Sequence, residues 1–514
     1  MATRAARKTT SRKSATKMKA ASKETAARQT KATNAGSVST KKTSGTTKPE
    51  NASGLRIRMY RVGFGDFFLV IVPTRAGDRY IVIDCGVFKG TSGTGDIGSI
   101  EEAVEDLFRT TGGALALVIM THRHADHIAG FSRAERFKDF TASMVWMPYW
   151  EQFNDAKDSP HNLQFDLGEL ASQLAMQFRG RTDDVAQEAF AQLENATGID
   201  FNATATGKKK ASGNAAALDL LKNHLGNNGK NVRYYAAGDA PELPPELEGL
   251  SAAILGPPPK DAKAFMALTD LKQGVGQYLD SRTSDDQGTR AIQPFPDEFL
   301  AEPDHDYPQK DVQGFAVDYK VIVNNVDVSQ PDMLAAAAGK IETFLNNQSL
   351  VVLFKFAGKN LLFVGDAQAG NWEHWLYKLD APVKDPTKAG DITEDSRELL
   401  QTIDFYKVGH HGSTNATPIQ VVEALATNHS ANGFVSMCST EFGVYGNVNK
   451  GTEVPRSPLM KALSDECVLL RSDSIEITTK SSGVIKAIEG SPAGLPNPKV
   501  GKLTREALYV EYSF

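Results

Sequence analysis

The chain has 514 residues, room for one large domain or two to three smaller ones, and 41% of them are apolar, ample for a core. No run of about 18 apolar residues occurs, which argues against a transmembrane helix, and three widely spaced cysteines (Cys85, Cys438, Cys467) exclude a disulfide framework and a cysteine-based zinc finger. The formal charge of −5 conceals a partition: residues 1–50 hold nine Lys and four Arg against Glu24 and Glu50, a net of +11, so the remainder carries −16.

Residues 1–54 are mostly Ala, Thr, Ser and Lys, with almost no large apolar side chain. Such a segment cannot bury enough surface to offset its ordering entropy, and disorder is expected. It has no apolar core of a secretory signal, and it favours Lys without the amphipathic pattern of a transit peptide. Three readings stand: a solvated linker, a nucleic-acid tether through residues 1–50, or a targeting segment. Any nucleic-acid contact would be with phosphates, blind to sequence and sensitive to salt. With no membrane span and no signal, the expected location is cytoplasmic.

The body opens on the alternation L-R-I-R-M-Y-R-V at 55–62, which predicts a half-exposed strand. Gly63-Phe64-Gly65-Asp66 forms a turn, and 67–72 and 79–83 read as strands two and three. The third ends in Asp84-Cys85-Gly86. A carboxylate at that tip either fixes a ligand histidine from behind or caps a turn, and the stretch alone leaves both open. A helix is predicted over 97–109.

The stretch L-A-L-V-I-M-T-H-R-H-A-D-H-I-A-G at 115–130 is the most informative. An apolar run reads as a buried strand and stops at Thr121; His122, His124, Asp126 and His127 follow at once. Three imidazoles and a carboxylate within six residues are costly to bury unless something binds them. Imidazole with carboxylate suits zinc, manganese or iron. One loop would crowd four ligands round one ion, so His122 and His124 are assigned to one cation and Asp126 and His127 to a second.

Beyond a strand at 143–147, helices are predicted over 163–179, 183–197 and 215–225, with Gly207-Lys208-Lys209-Lys210 in a loop and strands at 232–236 and 252–255. Residues 257–330 are rich in Asp, Pro, Gln and Gly, and 150–345 reads as an elaborated insertion carrying a few core elements. Regularity returns with a hairpin, 349–356 and 360–364 around Ala357-Gly358-Lys359. Gly365-Asp366 ends it. A helix starts at 372, and a strand at 405–408 leads into Gly409-His410-His411-Gly412-Ser413. Later strands are predicted at 433–438, 467–470, 474–478, 483–488 and 508–512.

Three strand ends therefore carry ligand-type side chains: the His122 loop, Asp366, and His410-His411. They can meet only if their strands lie in a sheet or sandwich with the tips on one edge. Together they make a two-metal site.

H-x-H-x-D-H after an apolar strand, a lone Gly-Asp, then a late His resembles the metallo-β-lactamase superfamily. The islands V-G-F-G-D (62–66), I-D-C-G (83–86), T-H-R-H-A-D-H-I-A-G (121–130), N-N-Q-S-L-V (346–351), F-V-G-D (363–366) and V-G-H-H-G-S (408–413) are most similar to the metallo-hydrolase domain of the competence DNA-uptake channel ComEC. The resemblance implies an αββα sandwich spanning 55–480, with 481–514 completing or flanking it. It implies a centre of two divalent ions, zinc or else manganese. In that centre His122 and His124 bind one ion, Asp126 and His127 the other, Asp366 bridges, and His410, preferred to His411, completes the second. Asp84 would stand behind the ligands, and Asp126, Asp366 and His410 would be catalytic. Two features depart from the pattern. A further His ligand is expected between the His-rich loop and the bridging Asp, where only His161, His224 and His305 occur. Where ComEC-like domains carry Gly-His-Pro, this chain has Val454-Pro455-Arg456.

The implied chemistry is hydrolysis by a hydroxide that two metals activate. A nuclease or phosphodiesterase is the first reading, with Arg123, Lys407 and Ser413 as phosphate contacts or, more simply, structural groups. A hydrolase of small esters, lactones or thioesters is the alternative, and a non-catalytic binding or defence module a third.

Overall fold

The computed structural model describes residues 54–88, 98–152, 160–199, 213–267, 331–378, 392–415, 417–427, 434–446, 448, 451–473, 502–505 and 508–514. Contacts separate Met1–Glu50 from Asn51–Phe514, and every described residue lies in the second unit. The basic tail, the Gly207-Lys210 loop and the strands expected at 474–478 and 483–488 lie outside the described residues. So does most of the weakly patterned 257–330 stretch.

The unit is a mixed α/β fold with two sheets. The first has β1 (Arg56–Tyr60), β2 (Phe67–Thr74), β3 (Gly77–Cys85), β4 (Ala114–Ile119), β5 (Thr141–Pro148) and β6 (Val232–Tyr235) side by side, with β13 (Lys502–Arg505) and β14 (Tyr509–Ser513) added at the β1 edge. The second runs β12 (Val468–Arg471), β11 (Val435–Cys438), β10 (Phe405–Lys407), β9 (Lys359–Phe363), β8 (Val351–Phe356), β7 (Ser251–Gly256). β4 pairs in parallel with β3 and β5, so its apolar run is shielded on both flanks. The hairpin β8–β9 turns on Ala357 and Gly358, both at positive φ (49° and 80°), the backbone its two-residue turn requires.

One apolar cluster joins the sheets: Ile57, Phe68, Ile81, Leu117 and Trp146 of the first meet Val352, Leu361, Phe405 and Met437 of the second. The other face of the first sheet packs on α1 (Ile100–Thr111) and α2 (Ala125–Arg133). The other face of the second packs on α7 (Ala369–Tyr377), α8 (Glu394–Gln401), α9 (Ile419–Thr427) and α10 (Ser457–Glu466). The layers run helix, sheet, sheet, helix.

Within 150–345, α3 (Pro160–Phe178), α4 (Asp184–Thr197) and α6 (Pro331–Asn346) form their own cluster around Trp150. Helix α5 (Gly213–Asp219) continues through a π turn, Leu220–Leu225, onto the first sheet. β6 and β7 give the insertion one strand in each sheet.

Two expectations change. β1 is covered on both faces rather than half exposed, and Arg58 is buried against Glu511 and Asp106. The His-rich stretch is not all loop, because Asp126 and His127 ride on the first turn of α2. Among the described residues no helix is long and apolar enough to cross a membrane. The three cysteines are buried and free.

Candidate metal centre

β4 delivers its chain to the edge of the sheet, and the backbone stays extended to His124 before α2 begins. The approach is close: a Cβ on Gly86 would sit 2.1 Å from the Asp126 carbonyl carbon and 2.2 Å from His127 N. Asp66 N–H bonds the Asp126 carbonyl (2.8 Å), and Asn195 Oδ1 on α4 accepts from Asp126 N–H (3.1 Å).

Asp84, at the tip of β3, has a left-handed backbone (φ 55°). Its Oδ1 accepts the Thr121 N–H (2.7 Å), and its Oδ2 accepts the Thr121 hydroxyl (2.6 Å) and faces His127 Nδ1 (2.8 Å). That contact turns His127 Nε2 toward Asp366 Oδ2, 3.0 Å away. Asp366 N–H is held by Ser349 Oγ (3.0 Å). Gly365 before it is left-handed (φ 54°), and a Cβ there would strike Thr121 at 2.8 Å.

His411 repeats the device. Its Nδ1 donates to the Ser439 carbonyl (2.7 Å), leaving Nε2 3.2 Å from Asp126 Oδ2 and 3.4 Å from Asp366 Oδ2. An oxygen acceptor on one ring nitrogen fixes the tautomer and presents the other as a ligand. Asp126, His127, Asp366 and His411 bring one ligand atom each within 4.8 Å of one another, all buried, and Asp66, Asp84 and His127 form an overlapping group. His122 and His124 stand beside this set. The His122 ring lies 4.1 Å from that of His127 and 4.7 Å from that of His124.

His410, preferred in the sequence, is not the residue that joins the group. Its ring turns to Ser413 Oγ (2.5 Å), Gln368 (3.1 Å), Asn415 (3.2 Å) and Asn346 (3.2 Å). Both histidines have left-handed backbone (φ 43° and 51°), and this tight turn directs the second ring inward. Of the other histidines considered, His224 bonds the Phe140 carbonyl (3.1 Å). The His161 side chain and all of His305 lie outside the described residues. Val454-Pro455-Arg456 backs the His411 turn, with Arg456 N–H on the Gly412 carbonyl (2.7 Å).

The phosphate contacts considered in the sequence face inward. Arg123 is bidentate to Glu151 (2.7 Å twice), Ser413 serves His410, and the buried Lys407 ammonium pairs with Asp66 and sits 3.5 Å from Asp366 Oδ1. Asp66 and Lys407 received no role as part of the centre. Asp66 lies in the turn just ahead of β2 rather than at the end of an apolar run, so the signal that marks Asp84 and Asp366 does not reach it.

Opposite charges within the group act on one another. Burial would raise the Asp126 carboxyl, but His127 and His411 hold it at about 2. Burial is likewise outweighed at Asp366, which His127, His411 and Lys407 keep well below the usual carboxylate range. At Asp66 burial wins and the carboxyl is raised despite Lys407. His127, although buried, is raised well above the ordinary imidazole by Asp366, Asp84, Asp66 and Asp126. Burial lowers His122 and His124, which are therefore neutral at pH 7.

The residues fit a cation. Nε2 of His122, of His124 and of His127 and Oδ1 of Asp126 are buried with no hydrogen-bond partner. Unpartnered buried polar atoms are rare, and ligand-type atoms left so beside the Asp126, His127, Asp366 and His411 group are what bound cations would satisfy. The mixed imidazole–carboxylate donor set could hold zinc or manganese. No family model matches this chain, and no curated protein matches it.

Proposed function

We propose that this protein is a two-metal hydrolase of the metallo-β-lactamase superfamily, similar to the hydrolase domain of ComEC, and that it cleaves phosphodiester bonds in DNA or RNA. The observation that carries this reading is the convergence of Asp126 and His127 with Asp366 and His411 from the other sheet, with His122 and His124 beside them and Nε2 of His122, His124 and His127 unpartnered. Asp126, His127, Asp366 and His411 would hold one ion, and His122 and His124 offer two nitrogens to another. Bound there, divalent ions supply a water of lowered pKa and an electrophile for the substrate oxygen. Asp84 and the Ser439 carbonyl keep His127 and His411 aimed, while Lys407 neutralises part of the carboxylate charge.

The test is to load the protein with zinc or manganese and offer plasmid, single-stranded DNA, RNA and bis-p-nitrophenyl phosphate, then a lactone panel. Phosphodiester cleavage that Asp366→Asn abolishes supports the reading; cleavage of lactones alone refutes it. The second reading, a small-ester, lactone or thioester hydrolase, is favoured by two facts. Arg123 and Lys407 are engaged with carboxylates, and residues 51–514 are acidic, which repels a polyanion. Fewer than about one bound ion per chain would favour a non-catalytic module.

A further inference from the structure

The loop after β11 carries Tyr445, which packs beside the candidate centre. Its ring lies 4.9 Å from Phe64 and 5.1 Å from Phe88, and Phe64 in turn lies 4.2 Å from the His411 ring. One aromatic ring therefore separates Tyr445 from a candidate ligand. The loop is pinned beneath it. Val454 N–H bonds the Tyr445 carbonyl (3.2 Å), and Gly446 (φ 73°) lies so close to the Thr452 carbonyl that a Cβ would meet its oxygen at 1.7 Å.

The phenol oxygen is buried and has no hydrogen-bond partner among the described residues. Packing on Phe64 and Phe88 would be served as well by phenylalanine, so the hydroxyl needs another explanation. Burial, together with Asp126, Glu342, Glu194 and Glu188, raises the phenol well above its ordinary value and keeps it a donor. What it lacks is an acceptor.

We propose that Tyr445 is a substrate-contacting residue, its phenol donating a hydrogen bond to an anionic oxygen of the substrate held at the neighbouring His/Asp cluster. This rests on the hydrolase reading and narrows it to substrates that bear an oxyanion, such as a phosphodiester, over neutral lactones. A donor that bonds an oxygen already charged in the bound substrate acts in the ground state as well as on charge that grows during reaction, so its loss raises KM and lowers kcat.

The test compares the zinc-loaded full chain with Tyr445→Phe. Turnover of bis-p-nitrophenyl phosphate, binding of inorganic phosphate by calorimetry, zinc content and melting temperature are measured. The expected result is kcat/KM lower by about 100-fold, with KM higher and phosphate binding weaker by about 10-fold, and zinc content and melting temperature as in the parent. Parental turnover together with parental phosphate affinity overturns the proposal. So does a loss of activity that merely tracks lost zinc or a lowered melting temperature. If the parent cleaves no phosphodiester, the hydrolase reading fails on its own. Phosphate affinity then decides the Tyr445 assignment: weakened in the variant upholds it, unchanged overturns it.

Discussion

His127 lies between two carboxylates, with Asp84 on Nδ1 and Asp366 facing Nε2. Without a bound cation those groups favour an imidazolium, whose contribution to stability is full below its ordinary pKa of 6.5 and lost as pH rises through the elevated folded value. A metal needs Nε2 deprotonated, so uptake releases this proton and affinity rises with pH. Zinc calorimetry at about pH 6 and about pH 8, in buffers of different ionisation enthalpy, should show proton release and tighter binding at the higher pH. Uptake that ignores pH would contradict the assignment. Asp84→Asn should cost about 10–100-fold in metal affinity with the fold intact, read by chelator competition. His411→Ala should lose a bound equivalent that His410→Ala retains, read by metal analysis. Much of this centre is legible as apolar runs that end in a ligand-type side chain, which is how Asp84, His122, His124, Asp126, His127 and Asp366 can be picked out. The choice between His410 and His411 is not legible, because a turn with two left-handed residues decides it.

At the scale of elements, the inserted helices brace the His-rich segment. Asn195 of α4 takes the Asp126 N–H, and Asn214 of α5 donates to the Arg123 carbonyl (2.8 Å). Glu151, just past β5, pairs with Arg123 and bonds Lys222 of the π turn through its carbonyl (2.8 Å). Glu151→Gln removes the charge that half-buried Arg123 and buried Lys222 share, and should destabilise by about 3 kcal/mol in denaturant unfolding. Gly86→Ala has no room against the Asp126 carbonyl and should displace α2, with loss of metal at little change in secondary structure by circular dichroism. The central strands are legible because burial on both faces demands unbroken apolar runs. Helix α2 is not, because ligands occupy positions where an amphipathic pattern would show. Helix α6 is hidden too: its run of four alanines, Ala335 to Ala338, carries little periodic contrast, although Ala337, Ala338, Ile341 and Phe344 pack into the cluster around Trp150.

At the scale of the molecule, the +11 of residues 1–50 stands against −16 in the rest. On the proposed reading, in which counterion release would fall to the tail and the chemistry to the His/Asp cluster, removing residues 1–54 should weaken polynucleotide binding at low salt and leave turnover of bis-p-nitrophenyl phosphate unchanged. Equal polynucleotide affinity with and without the tail would assign that binding to the body.

The body's opening strand is zipped to β14, and Arg58 reaches Glu511 across 453 residues. A ribosome must therefore release the 453 residues that separate Arg58 from Glu511 before that ladder can close. Until then β1 emerges with one side open to pairing with a neighbour. Nascent chains stalled before residue 509 should consequently be held by chaperones or aggregate, and acquire protease resistance only once β14 clears the exit tunnel.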